Sequence, residues 1–193
     1  MDPRQARTQR SLHSSVVELI ERMPLADVSV TDAARAAGVS RDTFYRHAPS
    51  VADVLAAALG EELDEAATEF ATARGTGRER FETAERALFA HIAHRRGVYL
   101  HAMSPRLASP VRVMLLERIE VSLREYLAEH PEVAPEPQGA LTGDALYDLY
   151  AAYGAAGTVG AIEHWLVGGA EGHPDAVARG VLAVTAPWWW RGA

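Results

Sequence analysis

The sequence contains no cysteine, and its nineteen strongly basic residues include no lysine. The missing thiols exclude disulfides, thiolate zinc sites and cysteine nucleophiles, which suits a reducing compartment. Long apolar runs are missing too. The longest charge-free stretch of the back half, Leu149 to Ile162, has 14 residues and is rich in Gly and Ala. A membrane-spanning helix needs about 18 or more apolar residues. No apolar segment follows the early arginines, so no signal peptide is expected. These absences predict a cytoplasmic protein with no membrane partner. The arginines are scattered over acidic stretches as well, so the lack of lysine reads as the composition of a GC-rich genome. Selection for phosphate-binding forks does not account for that scatter.

Positive charge is scarce overall, with a formal net charge of −7 over 193 residues. Its distribution is uneven. Residues 1–50 hold seven Arg against six Asp/Glu, whereas residues 51–193 hold twelve against twenty. Only the front of the chain escapes being acidic, which makes it the better candidate for meeting phosphate. Hydrophobic residues make up 48% of the chain, enough to bury a real core.

Periodicity predicts an all-α protein. Leu12, Val16, Leu19, Ile20 and Met23 recur at helical spacing from about residue 4 to 23, and Pro24 ends that helix. Ser29 stands three residues before Asp32, a capping-box spacing, and opens a helix over 30–37 whose Ala33, Ala34 and Ala37 form a small face. Gly38 supplies a left-handed stop. Ser40 then caps a second short helix over 41–47, with Val39 before it able to staple onto Phe44. Ser50 can cap the next helix. Further helices are expected at 51–73, 79–95, 97–103, 109–130, 143–168 and 174–186, with loops at 74–78 and 131–143. No stretch shows sustained strand alternation, and no internal repeat is present.

The pair 30–37 and 41–47 has the shape of a helix-turn-helix. A helix enters the major groove only if its first turn offers small or polar side chains and its rear is anchored on a supporting helix. With Val39 and Phe44 turned inward, Arg41, Asp42, Thr43, Arg46 and His47 point outward or sideways.

The residues Ala37, Gly38, Val39, Ser40, Thr43, Phe44, Tyr45, Pro49 and Ser50 resemble the DNA-binding segment of the TetR family of bacterial transcriptional regulators. The resemblance covers roughly residues 8–60. It implies an N-terminal three-helix DNA-binding domain over 1–50 and an effector-binding and dimerisation domain over 51–193. It further implies a regulator of the repressor type that is not an enzyme and binds double-stranded operator DNA as a homodimer under control of a small-molecule effector. By the same resemblance, Thr31, Ser40, Arg41, Asp42, Thr43, Tyr45, Arg46 and His47 form the DNA-binding set. Arg41, Asp42 and Thr43 fall where base edges are read, and Tyr45 and His47 where the backbone is held. The chain departs from the family in having Ala48 where Phe is common and Val51 where Lys is common. These departures raise an alternative, a helical interaction module of the same fold with weak or lost operator binding.

In the back half, Gly154, Gly157 and Gly160 sit inside one expected helix, each costing about 1 kcal/mol relative to Ala. Close helix–helix approach would offset that cost, and Ala176, Gly180 and Ala183 repeat the small face on the next helix. The resemblance implies that these two helices pair with those of a second copy. Gly154, Gly157, Gly160, His164, Ala176, Gly180 and Ala183 are the expected dimer residues. An effector cavity between central helices would draw on Phe89, Tyr99, Met103, Leu115, Ile119, Tyr126, Tyr150 and Trp165, all of which equally suit a plain core. His91, His94 and His101 fall near one face if the helix runs on past Gly97, but they lie beside Arg95 and Arg96 in a stretch that reads as solvated; no metal and no cofactor is expected. An enzymatic alternative would rest on Glu163 and His164. The triplet Trp188, Trp189 and Trp190 reads as an apolar end packed on the dimer surface.

Overall fold

A computed structural model describes residues 3–71, 76–137, 139–168 and 173–190. Among these residues there are nine α-helices and no β-strand, as the periodicity predicts. They are α1 (Pro3–Arg22), α2 (Val30–Ala36), α3 (Arg41–His47), α4 (Val51–Ala71), α5 (Gly77–His94), α6 (Arg96–His101), α7 (Ser109–Glu129), α8 (Asp144–Val167) and α9 (Pro174–Val184).

One expected loop is partly helical. Residues 74 and 75 lie outside the described residues, but Gly77 and Arg78 already belong to α5. Thr76 explains this. Its hydroxyl accepts from the Glu79 N–H at 3.3 Å, and the Glu79 carboxylate accepts the Thr76 N–H at 2.8 Å. That reciprocal capping box starts the helix in spite of the glycine. The expected loop at 131–143 contains a 3₁₀ turn, Pro131–Val133, with Val133 buried.

The chain divides into two compact units, one of residues 1–62 with 95–114 and the other of 63–94 with 115–193. The division expected after residue 50 does not coincide with this. Val51, Val54, Leu55 and Leu59, all on the first half of α4, are buried side chains of the first unit. Val98 and Tyr99 of α6 join the same unit, both fully buried.

In the first unit, α1 packs on α2 and α6, and α2 packs on α3. Leu12, Val16 and Ile20 of α1, Ala33 and Ala34 of α2 and Phe44 of α3 are all buried. Met23, in register with that stripe, falls past the helix end and is exposed. Polar ties fix α4 and α6 to α1. Glu61 accepts from Gln9 at 3.1 Å and pairs with His13 at 2.9 Å. Arg95 grips Glu62 through both carboxylate oxygens, at 2.7 and 2.9 Å, and reaches Glu21 at 2.9 Å. His101 Nδ1 lies 2.6 Å from the Ile20 carbonyl, close to the end of α1.

In the second unit, α5 packs along α9. A separate aromatic cluster gathers Tyr126, Leu127, Val133 and Trp189, flanked by Phe81, Tyr147, Tyr150, Trp188 and Trp190. Tyr126 donates its hydroxyl proton to the Trp189 carbonyl at 2.8 Å, and Trp188 stacks on Trp189 at 4.4 Å between ring centroids. The tryptophan triplet packs on α5, α7 and α8 of its own chain, with Trp189 buried and Trp188 and Trp190 partly exposed.

Candidate nucleic-acid interface

The turn ahead of α3 is built by backbone geometry. Gly38 adopts φ +68°, the left-handed conformation that a side chain disfavours. That lets Val39 N–H reach back to the Ala34 carbonyl at 2.9 Å and Gly38 N–H to Arg35 at 3.2 Å, closing α2. At the opposite end of α2, the Ser29–Asp32 capping box is formed. Hydrogen bonds from the Ser29 side chain and backbone, aided by Arg35, hold the Asp32 carboxyl below its usual range. The Ser11 hydroxyl donates to the Ala37 carbonyl at 3.0 Å, pinning α1 to the end of α2.

Ser40 caps α3 by accepting the Thr43 N–H at 3.1 Å. Of the seven residues of α3 only Phe44 is buried, and it is completely so. This one anchor leaves the rest of the helix available. Arg41, Asp42 and Arg46 are exposed, and Tyr45 is 51% exposed, its ring edge-on to Phe44 at 5.8 Å. Thr43 and His47 are half-buried on the flank, and Ser40 and Thr31 are exposed. Arg46 donates to the Thr43 hydroxyl at 3.0 Å, and that hydroxyl lies 2.9 Å from Ser40 Oγ. Asp42, near the N-terminus of α3, also complements the helix dipole. Ala48 and Val51 are both buried, so the two departures from the family pattern concern packing behind α3. Ser50 caps α4 as expected, accepting the Asp53 N–H at 3.3 Å.

Beside α3 runs an open trough of about 410 Å³, lined by Arg4, Gln5, Thr8 and Gln9 of α1 with Thr43, Arg46 and His47 of α3. It contains two arginines, a histidine and neutral hydrogen-bonding groups, with no carboxylate in its lining. That chemistry suits a phosphate backbone. Gln5, Thr8 and Gln9 were not legible as site residues from chain order, although the i, i+4 pairs 4/8 and 5/9 mark a polar stripe on α1.

The other expected sets fare differently. Phe89, Tyr99, Leu115, Tyr126 and Trp165 are buried, and Met103, Ile119 and Tyr150 are partly so. They divide between the two units. Tyr99 and Met103 belong to the first unit, and Tyr126 and Tyr150 to the aromatic cluster. Phe89 and Trp165 meet edge-on at 5.6 Å. Beside them lies a residue the sequence did not single out, Glu85, one turn before Phe89 on α5. Burial pushes its carboxyl up to about 7, against the opposing pull of a hydrogen bond with Thr158 of α8.

Among the glycines, Gly154 is not on an open face. A Cβ there would stand 2.8 Å from Leu123 Cδ1, so this glycine serves close packing of α8 on α7 within the chain. Gly157, Gly160 and Gly180 have open space where a Cβ would be, and they are exposed together with His164, Ala176 and Ala183. Glu163 is buried while the neighbouring His164 is exposed, so the two do not form a dyad. Among the described residues no three potential metal ligands gather. No described helix is long and apolar enough to cross a membrane.

No family model matches the sequence. The chain is 39% identical over 72 residues to the HTH-type transcriptional regulator EthR of Mycobacterium tuberculosis (strain H37Rv), a match covering 33% of each chain. It thus spans about a third of the length of the curated relatives it matches. In fold it is similar to the fatty acid degradation regulator FadR from Bacillus halodurans, at a TM-score of 0.66 and 15% identity, over 95% of this chain and 98% of that one. It is also similar to a TetR transcriptional regulator from Rhodococcus sp. RHA1, at a TM-score of 0.62 and 15% identity, over 95% and 100% of the two chains. With 95% of the chain matched in fold and the turn residues Gly38, Val39, Ser40, Thr43, Phe44 and Tyr45 in place, the chain has the fold of TetR-family transcriptional regulators.

Proposed function

We propose that this chain is a ligand-responsive transcriptional repressor that holds a near-palindromic operator as a homodimer. The observation that supports it most is the construction of α3. A single buried anchor, Phe44, carries a helix whose other side chains stay in or near solvent, beside a trough free of carboxylates. Arg41 and Asp42 would meet base edges, and Tyr45, His47, Arg46 and Arg4 would meet phosphates. One short helix reads few base pairs, so a twofold pair of them is needed for specificity.

A stripe on α8 supplies the surface for that pair. Leu149, Tyr153, Gly157, Gly160, His164 and Val167 recur at helical spacing and are all exposed, Tyr153 to 83%. On α9 the small residues Ala176, Gly180 and Ala183 are exposed next to Val184, at 85%. Apolar and small residues contiguous at a surface mark an interaction face. The effector would act by binding the two geometries of the dimer unequally. The interaction-module alternative draws less support, because Ala48 and Val51 are packing residues and leave the outward side chains of α3 in place.

Selection of bound duplexes from the fragmented genome of the source organism tests this reading. The expected result is enrichment of fragments sharing an inverted repeat with half-sites about one helical turn apart or a multiple of it. Recovery of fragments with no common sequence, or none at all, would refute it.

A further inference from the structure

Two polar atoms in the second unit are buried with no hydrogen-bond partner among the described residues, Glu85 Oε2 and Trp165 Nε1. An unmet buried polar group costs about 1–3 kcal/mol, and more when it can ionise. Two of them close together are unusual unless something else satisfies them.

They are close. Glu85 and Phe89 are one turn apart on α5, and Thr158 and Trp165 are two turns apart on α8. Glu85 hydrogen-bonds with Thr158, and Phe89 meets the Trp165 ring. Glu85 and Trp165 therefore lie along one seam between α5 and α8, with Phe89 packed on the indole ring. Oε2 is sealed from solvent although the Glu85 side chain as a whole is partly exposed, which places the open part of this residue at the rim of the seam.

This combination selects a kind of molecule. A carboxylate with an unused oxygen attracts a charged N–H donor. Aromatic faces attract a cation and exclude water from around it. An indole N–H takes an acceptor oxygen, having no acceptor capacity of its own. We infer that the seam between α5 and α8 binds an apolar molecule carrying a protonated amine, which donates to Glu85 while the molecule's body packs on Phe89 and Trp165. This deepens the effector reading above by naming the ligand's chemistry, and it does not depend on DNA.

The test is calorimetric titration of the full-length chain at pH 8 with three ligands of equal chain length, decylamine, decan-1-ol and decanoate. Decylamine is expected to saturate one site per chain and to bind at least about tenfold more tightly than either partner, the worth of one charge-assisted hydrogen bond. Glu85→Gln should lose that preference while still binding decan-1-ol as the parent does. Trp165→Phe should weaken decan-1-ol and decanoate, which carry an acceptor oxygen for the indole N–H, more than decylamine, which meets only the ring. Equal affinity for the three, an unchanged preference in Glu85→Gln, or no saturable binding of the amine would each overturn the inference. Duplex binding by the same preparations separates the two readings. Failure of the amine with intact duplex binding removes this inference alone, whereas loss of duplex binding with intact amine binding removes the repressor reading alone.

Discussion

The two units differ in what their polar groups do. In the first, polar side chains close bonds that set geometry. Ser29, Ser40 and Ser50 each cap a helix, and Glu61 and Glu62 tie α4 to α1 and to Arg95. The result is a rigid mount on which one face of α3 is left outward. In the second unit, Glu85 and Trp165 keep polar atoms buried and unpartnered, while Tyr153, Val167 and Val184 stand in solvent. The capping and ion-pair bonds of the first unit present a surface. On the proposed reading, the second unit takes a ligand inside and a second copy outside.

The largest expected effect breaks the second half of this contrast. Joint replacement of Gly160 and Ala183 by Glu places four carboxylates across a twofold interface. The dimer constant should weaken by at least about a hundredfold. Sedimentation velocity should then show monomers with an unchanged helical circular dichroism signal, and persistence of the parent's assembly state would remove this face as the interface. Next, Phe44→Ala should destabilise the chain by about 3–5 kcal/mol, because it deletes the only buried side chain of α3. Chemical denaturation measures this, and a change under about 1 kcal/mol would show that α3 is not anchored as described.

Glu85 gives a pH prediction whose sign follows from the raised carboxyl. Folding favours its protonated form, so stability from this group is greatest below about 4.5 and declines as pH rises toward about 7. The total amounts to about 3 kcal/mol. The difference in unfolding free energy between the parent and Glu85→Gln should therefore shift against the parent across that window and level off above it. A difference that stays flat with pH would place the carboxyl in water. The smallest effects compare two glycines of α8. Gly154→Ala should stabilise less than Gly157→Ala, or destabilise, because the end of the Leu123 side chain has to shift. Gly157→Ala should stabilise by up to about 1 kcal/mol, having open space and a better helix former.

That pair of glycines also shows what can be read from chain order. Gly154, Gly157 and Gly160 look alike in sequence, yet which of them meets α7 depends on a neighbour far along the chain. Capping residues are local, so Ser29, Gly38, Ser40 and Ser50 announced the helix-turn-helix and its ends directly. Thr76 is equally local, but the glycines around it masked its cap. Glu85 lies in the polar-looking run "RERFETAERALF", and only the packing of α5 on α8 reveals its burial. The tryptophan triplet signals burial by its area, while its partners, Tyr126 and Phe81, are known only once the second unit is assembled.

If α3 and the trough beside it meet DNA phosphates, duplex binding must weaken as salt rises. For an operator duplex recovered by selection, log affinity should fall linearly and steeply with log salt, and Arg46→Ala should reduce that slope by about 1. Arg124→Ala, which removes an exposed arginine paired with Asp148 in the second unit, should leave the slope as it was. A flat salt dependence in the parent, or the same slope in Arg46→Ala as in the parent, would contradict the account.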